Sequence, residues 1–304
     1  MKVLVSGGSG LVGRYIVNGL LQAGYDIVVG GRTPAPPSWF VKPADFVPLT
    51  LDPDKDQCSA FNGMDAFVHA AFDHLPGKYR GGEGGDPARF RRLNLDGTVR
   101  LFETAKVTGI GRAVFLSSRA VYDGLPPEAL LSEDAVLQPS SLYGEIKFAA
   151  ERAIAELASP SFVTASLRLT GVYGDLRPNK WDGLFADYLA GRPIAPRAGT
   201  EVHGRDVASA MQLMLEADIG DINGRAFNVS DIVVKTADLL PRVPTRRDAA
   251  GQPARPMDIE RISTLGWTSG GYPLLEKTLR ELYRAYRIDD RPEILVLAAL
   301  KNIK

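Results

Sequence analysis

Val3-Leu4-Val5-Ser6-Gly7-Gly8-Ser9-Gly10-Leu11-Val12-Gly13-Arg14-Tyr15-Ile16 opens the chain with an apolar run, a glycine break and a resumed apolar pattern. The first run is too short for anything but a buried strand. The second has helical spacing through Val12, Ile16, Leu20 and Leu21 and ends at Gly24. Strand, glycine turn and helix together hold a pyrophosphate on backbone N–H groups at a helix N-terminus. Gly7 permits the tight turn, Gly10 lets the backbone approach the phosphates, and Gly13 lets helix and strand pack closely. Ser9, Leu11 and Val12 complete this dinucleotide-binding turn.

The rest of the chain keeps alternating. Asp26–Val29 reads as a second strand ending in Gly30-Gly31-Arg32-Thr33. A site for NAD usually has an acidic residue there to accept from the adenosine ribose. Glycine followed by Arg32 favours NADP instead, because a guanidinium pairs with a 2′-phosphate. Otherwise Arg32 is a solvated loop residue. Pro34–Pro43 is a surface loop tucked down by Trp39 and Phe40. Phe46–Asp52 reads as a third strand with Asp52 reaching the adenine, and a short polar helix follows. Asp65–Ala71 is a fourth strand, in which His69 is a packed core histidine and Ala70 and Ala71 leave room for a cofactor. Phe72 to Pro87 is too rich in glycine for a regular element. It is either a lid presenting His74, Lys78 and Arg80 to a substrate or a solvated loop.

Arg89–Val107 reads as one helix, Ala113–Ser118 as a fifth strand, and Tyr143 onward as a long helix through Leu157. Phe162–Leu169 is a sixth strand, followed by Thr170-Gly171-Val172. Asp206 reads as a helix N-cap, Ala226–Val229 as a further strand, and Pro273 as the opening of a last helix. The alternation predicts an α/β protein with a Rossmann-type doubly wound parallel sheet. Residues 1–172 form the NAD(P)-binding domain, with 204–232 returning to it. Residues 173–203 and 233–304 form a smaller, interleaved substrate-binding lobe.

Bulk properties narrow the partner. With 304 residues, the chain has 36 basic and 36 acidic side chains, so no charge excess points to nucleic acid or an anionic membrane. A small-molecule substrate is expected. The single cysteine, Cys58, excludes an internal disulfide and fits a reducing, cytoplasmic setting. No metal-ligand pattern is present. Met1-Lys2 leads directly into strand residues without an apolar signal core, and Ile294–Leu300 is too short to span a bilayer.

Tyr143 and Lys147 are spaced one helical turn apart and share a face. A phenol alone, with a pKa of about 10, is a poor acid–base catalyst at neutral pH. A neighbouring ammonium favours the phenolate and brings it toward the working range. Ser118, at the end of a neighbouring strand, would bind the same substrate oxygen. A nicotinamide would handle the hydride.

At this point the sequence resembles the extended short-chain dehydrogenase/reductases of the epimerase/dehydratase type. The resemblance rests on Ser6–Gly13, His69-Ala70-Ala71, Asn94 with Gly97-Thr98, and Ser117–Tyr122. It continues through Tyr143–Lys147, Arg168 with Gly171–Gly174, and Val202-His203 with Asp206-Val207. It implies a Rossmann fold binding NAD(P), catalysis by Ser118, Tyr143 and Lys147, and Asn94 helping to hold the site. Ser117, Thr170 and Val172 are expected beside the cofactor, and a homodimer through the helices containing Asn94 and Tyr143 is also implied. Substrate contacts are expected from His74, Arg80, Ser118, Arg119, Tyr143, Arg177 and His203.

Departures from the family pattern refine the activity. The Asp-Glu pair of the family's dehydratases is replaced by Arg119 and Ala120, which argues against dehydration. The arginine that grips a nucleotide-sugar pyrophosphate is replaced at about Gly199-Thr200, where Glu201 follows and would repel phosphate. The segment from Asp175 to Gly183 is also short for a nucleotide-binding excursion. It offers Arg177, Lys180 and Trp181 as contacts, or else a solvated loop. These departures favour an NAD(P)-dependent oxidoreductase acting on a hydroxyl or keto carbon of a small, sugar-like substrate. A nucleotide-sugar epimerase is the alternative, since it would use the same catalytic residues. A cofactor-sensing regulator without chemistry is a third reading.

Overall fold

A computed structural model describes residues 1–75, 78, 81–240 and 254–288. The first half runs β1 (Lys2–Ser6), α1 (Leu11–Gln22), β2 (Asp26–Gly31), β3 (Asp45–Pro48), β4 (Ala66–His69), α2 (Pro87–Arg91), α3 (Gly97–Val107), β5 (Arg112–Ser118) and α4 (Leu142–Glu156). Then come β6 (Val163–Leu169), β7 (Gly171–Tyr173), α5 (Asp182–Leu189), β8 (Ala198–His203) and α6 (Gly204–Glu216). The described chain finishes with α7 (Ile219–Ile222), β9 (Arg225–Val229), β10 (Ile232–Lys235), α8 (Glu260–Thr264) and α9 (Gly271–Tyr286).

Seven strands form one parallel sheet in the order β3-β2-β1-β4-β5-β6-β9. The strand order reverses at β1 and β4, so a crevice opens at their carboxyl ends. Register brings the key strand ends into line there, with Ser6 opposite both Gly30 and His69, and Ser118 opposite Leu169. The sheet is buried on both faces. Val3, Val5 and Val68 pack under α1 and α6, while Leu4, Phe67 and Phe115 pack with Leu101, Phe102 and Ile154 of α3 and α4. This alternation is the two-residue period of a strand. A third core, around Tyr173, Trp181, Phe185, Leu275 and Leu279, joins α5 and α9 to a small sheet ordered β10-β8-β7.

Several local expectations are corrected. The helix expected over Arg89–Val107 is continuous and starts at Pro87, but a π-helical turn at Arg92–Asp96 lies within it, between α2 and α3. Gly97 carries the helix past the carbonyl of Leu51, where an added Cβ would lie 2.0 Å from the oxygen. The third strand is shorter than expected and ends at Pro48, with Leu49 N still donating to Gly31 O at 2.9 Å. The polar helix expected after it is one 3₁₀ turn, Cys58–Phe61. His203, not Asp206, caps α6 by accepting from the Arg205 N–H at 3.0 Å. Asp206 instead accepts from Gly270 N at 3.0 Å. Helix α9 begins at Gly271, two residues before Pro273. Arg80 and Ile294–Leu300 lie outside the described residues. No helix among the described residues is long and apolar enough to cross a membrane.

Candidate active site

The glycine turn between β1 and α1 is closed by its own backbone. Gly7 N donates to Gly30 O at 3.0 Å, and Gly10 N donates to Gly7 O at 2.9 Å. Gly7 has a φ of +72°, and a Cβ there would come within 2.6 Å of Ala71 N and Cα. A Cβ on Gly13 would lie 2.1 Å from Gly7 O, which is why helix and turn can meet only at glycine. The first-turn N–H groups of α1 have no carbonyl partner inside the helix, and no acidic residue occupies that turn. This is a cradle for phosphate. Gly7, Ser9, Gly10, Leu11, Val12 and Gly13 all line one cleft of about 1980 Å³. Pockets for drug-sized ligands measure about 300–1,000 Å³, so this cleft has room for a dinucleotide and a second molecule.

Across that cleft lie Ser118, Tyr143 and Lys147. Ser118 ends β5, and its Oγ accepts from Ala120 N at 3.2 Å, turning the chain sharply after the strand. Ser141 caps α4 by accepting from Gly144 N, so Tyr143 sits in the first turn and Lys147 in the next. Lys147 is only 5% exposed. Its Nζ donates to Leu116 O at 2.7 Å and lies 4.6 Å from the ring centres of both Phe72 and Phe115. Burial pulls the Lys147 pKa down to about 7, against the opposing pull of the Glu151 carboxylate. The Tyr143 ring meets Phe72 edge to face at 5.1 Å.

Asn94 stands behind these groups, 2% exposed, at the π turn. Its Oδ1 accepts from Asp73 N at 2.6 Å, and its Nδ2 donates to Asp73 O and Phe90 O at 2.8 and 3.0 Å. Its side-chain amide is therefore spent on the backbone. Thr98 Oγ1 donates to Asn94 O at 2.8 Å, leaving that hydroxyl to accept from His69 Nε2 at 2.9 Å. His69 Nδ1 then accepts from Ser6 Oγ at 2.6 Å. Full burial holds the imidazole neutral, with its pKa lowered to about 3. His69 ties β1 and β4 to the π turn, as a packed histidine.

Two buried hydroxyls at the strand ends, Ser117 Oγ and Thr170 Oγ1, have no hydrogen-bond partner and line the cleft. Orphaned polar atoms beside the phosphate cradle fit a bound dinucleotide. Ala70, Ala71 and Val172 also line the cleft. At its far end stand Arg32, its side chain 82% exposed and 3.9 Å from Asp73, and Asp52, held by Arg92 at 3.0 Å.

The substrate contacts expected from sequence divide. His74 and Arg119 line the cleft, with Arg119 3.6 Å from Asp123. Arg177 is turned elsewhere, its guanidinium stacked 4.0 Å over Tyr286 and 3.5 Å from Asp182. His203 is fully buried between Tyr15 and Tyr173 as the cap of α6. Glu201, expected to repel phosphate, is ion-paired with Lys180 in the cleft wall. A Cβ on Gly171 would lie 2.6 Å from that carboxylate, so glycine makes room for the pair. Arg197 and Arg255 also reach the cleft, and neither was anticipated. Arg197 lies in a stretch without a legible period, so no local signal marked it.

The model of the NAD dependent epimerase/dehydratase family matches residues 3–230, about three quarters of the chain. The chain belongs to this family. Among relatives, it is 27% identical over 190 residues to a UDP-glucose 4-epimerase of Corynebacterium glutamicum, a match covering 59% of this chain and 55% of that protein. It is 29% identical over 202 residues to a 3-beta-hydroxysteroid dehydrogenase of Mycolicibacterium neoaurum, covering 62% and 52%. The matches thus span about half the length of these two curated relatives. The fold is similar to that of MoeE5 in complex with UDP-glucose and NAD, with a TM-score of 0.75 and 25% identity, covering 94% of this chain and 99% of that one.

Proposed function

We propose that this member of the epimerase/dehydratase family is an NAD(P)-dependent oxidoreductase acting at a hydroxyl or keto carbon of a small, sugar-like substrate. One observation carries the reading: Ser118, Tyr143 and Lys147 share a cleft with a phosphate cradle. The phosphate would lie on the first turn of α1, and Ser117 and Thr170 would supply their free hydroxyls to the same cofactor. A bound nicotinamide supplies hydride exchange. Ser118 Oγ binds the reacting substrate oxygen. The Tyr143 hydroxyl gives or takes the proton at that oxygen, and the Lys147 ammonium steadies the phenolate form. The test is Tyr143→Phe in a substrate screen. Turnover should fall about 10²–10⁴-fold while cofactor-induced thermal stabilisation persists. Full turnover by this variant overturns the assignment.

Epimerisation of a nucleotide sugar is the second reading. It is favoured by the neutralisation of Glu201 by Lys180 and by Arg197 in the cleft, which together make that wall hospitable to a diphosphate. Net accumulation of oxidised or reduced cofactor separates simple redox from epimerisation. For the cofactor, Gly31-Arg32 in place of an acidic strand end supports NADP, whereas MoeE5 was solved with NAD. Thermal stabilisation by the two cofactors in parallel decides between them. A cytoplasmic homodimer belongs to the same proposal, supported by a surface hollow containing Leu95, Val99, Ala149 and Ala153 between α3 and α4. Light scattering measures the mass.

A further inference from the structure

Phe72 follows β4 by three residues and touches both members of the Tyr-Lys pair. Its ring meets Tyr143 edge to face at 5.1 Å and 83°, and its face lies 4.6 Å from Lys147 Nζ. A second ring, Phe115, has its centre 4.6 Å from the same ammonium. A third ring, Phe90, meets Phe72 at 5.4 Å and 80°. The backbone beyond Phe72 is gripped by Asn94, which bonds both the N–H and the C=O of Asp73 and also the carbonyl of Phe90. Asn94 therefore fixes two of the parts that cage the Phe72 ring.

We propose that Phe72 is a positioning residue for the Tyr143–Lys147 pair, one of two aromatic plates holding the Lys147 ammonium, and that Asn94 acts on the pair through it. The proposal rests on the reading of Tyr143 and Lys147 as the catalytic pair. An ammonium has three N–H donors, and Leu116 O takes one. In a water-poor site the negative faces of two rings replace part of the lost hydration. Phe115 is 1% exposed within β5 and is held by the sheet. Phe72 lies outside the strands, so its position depends on the Asn94 grip. Tyr143, packed nearly at right angles to the same ring, is aligned by the plate that holds Lys147.

The test follows Lys147 directly by ¹³C NMR of the full chain labelled at lysine Cε, with the signal assigned by its loss in Lys147→Met. Phe72→Leu keeps apolar cover and removes the π face, so the Lys147 midpoint should fall by about 0.4–1.5 pH units. Phe72→Met, which also fills the space without a ring, should behave alike, and Phe72→Tyr should restore the wild-type midpoint. Asn94→Ala should shift the midpoint in the wild-type background but not in Phe72→Leu. A wild-type midpoint in both Phe72→Leu and Phe72→Met, or an Asn94→Ala shift of equal size in both backgrounds, overturns the proposal. The titration needs no substrate, so its failure is distinguishable from turnover surviving in Tyr143→Phe.

Discussion

Arg168 and Glu151 form an ion pair wholly inside the protein: Arg168 Nε lies 3.1 Å from both carboxylate oxygens and Nη2 lies 2.8 Å from one. Arg168 Nη1 continues to the Tyr122 hydroxyl at 2.7 Å, and that hydroxyl donates to Asn228 Oδ1 at 2.8 Å. The network joins α4, β6 and β9 to the turn that follows Ser118. It fastens the serine's side of the cleft to the helix carrying Tyr143 and Lys147.

Breaking one half of this pair leaves a buried guanidinium uncompensated. Glu151→Leu should cost about 3–5 kcal/mol, whereas Glu151→Leu with Arg168→Met should cost much less. Chemical denaturation of the two variants reads the difference. Equal losses would show that packing volume, not charge pairing, holds the junction.

Two glycines of the turn should fail differently. Gly13→Ala places a Cβ 2.1 Å from Gly7 O, so the backbone must shift and stability should fall by about 1–3 kcal/mol. Gly10→Ala meets its nearest atom at 3.3 Å and should fold nearly as well. Both should lose the cofactor's stabilisation, about 2.7 kcal/mol at 100 times the dissociation constant. Calorimetry with and without cofactor checks this. Retained stabilisation in Gly13→Ala would remove the phosphate cradle.

Lys147 should make stability pH-dependent. Its folded-state pKa of about 7 lies below the ordinary 10.5, so between those values the unfolded chain holds more protons. Stability therefore rises with pH across that window. The cofactor-free wild type should gain on Lys147→Met by up to about 1.4 kcal/mol per pH unit above pH 7. Denaturation at pH 6.5 and 9 measures the gap, and parallel curves would contradict it.

Arg32 should decide the cofactor's adenosine end. Arg32→Glu should weaken NADP more than NAD, because it replaces a 2′-phosphate partner with a repelling carboxylate. Thermal shifts with each cofactor check this. Equal loss for both would return Arg32 to the status of a solvated side chain.

Much of what lines the cleft was readable along the chain. The glycine turn and the Tyr143–Lys147 spacing are local patterns, and local patterns carry their geometry with them. The parallel sheet followed from alternating strand and helix signals for the same reason. The π turn was not readable, because no pattern within Arg92–Asp96 distinguishes it from the helix on either side. The small sheet escaped because β7, β8 and β10 lack a clear period. Arg177 and His203 looked available from sequence, since composition does not tell a cleft residue from a stacked or capping one.

What the sequence determined by itself was the cradle, the parallel fold and the presence of a tyrosine–lysine pair, since each is written within a few residues. The tertiary structure alone decided what surrounds that pair. Phe72 comes to lie on Lys147, Glu151 pairs with Arg168, and Glu201 with Lys180. These partners meet only after the sheet closes, because the partner of a buried charge is chosen by distance in space and not by position in the chain.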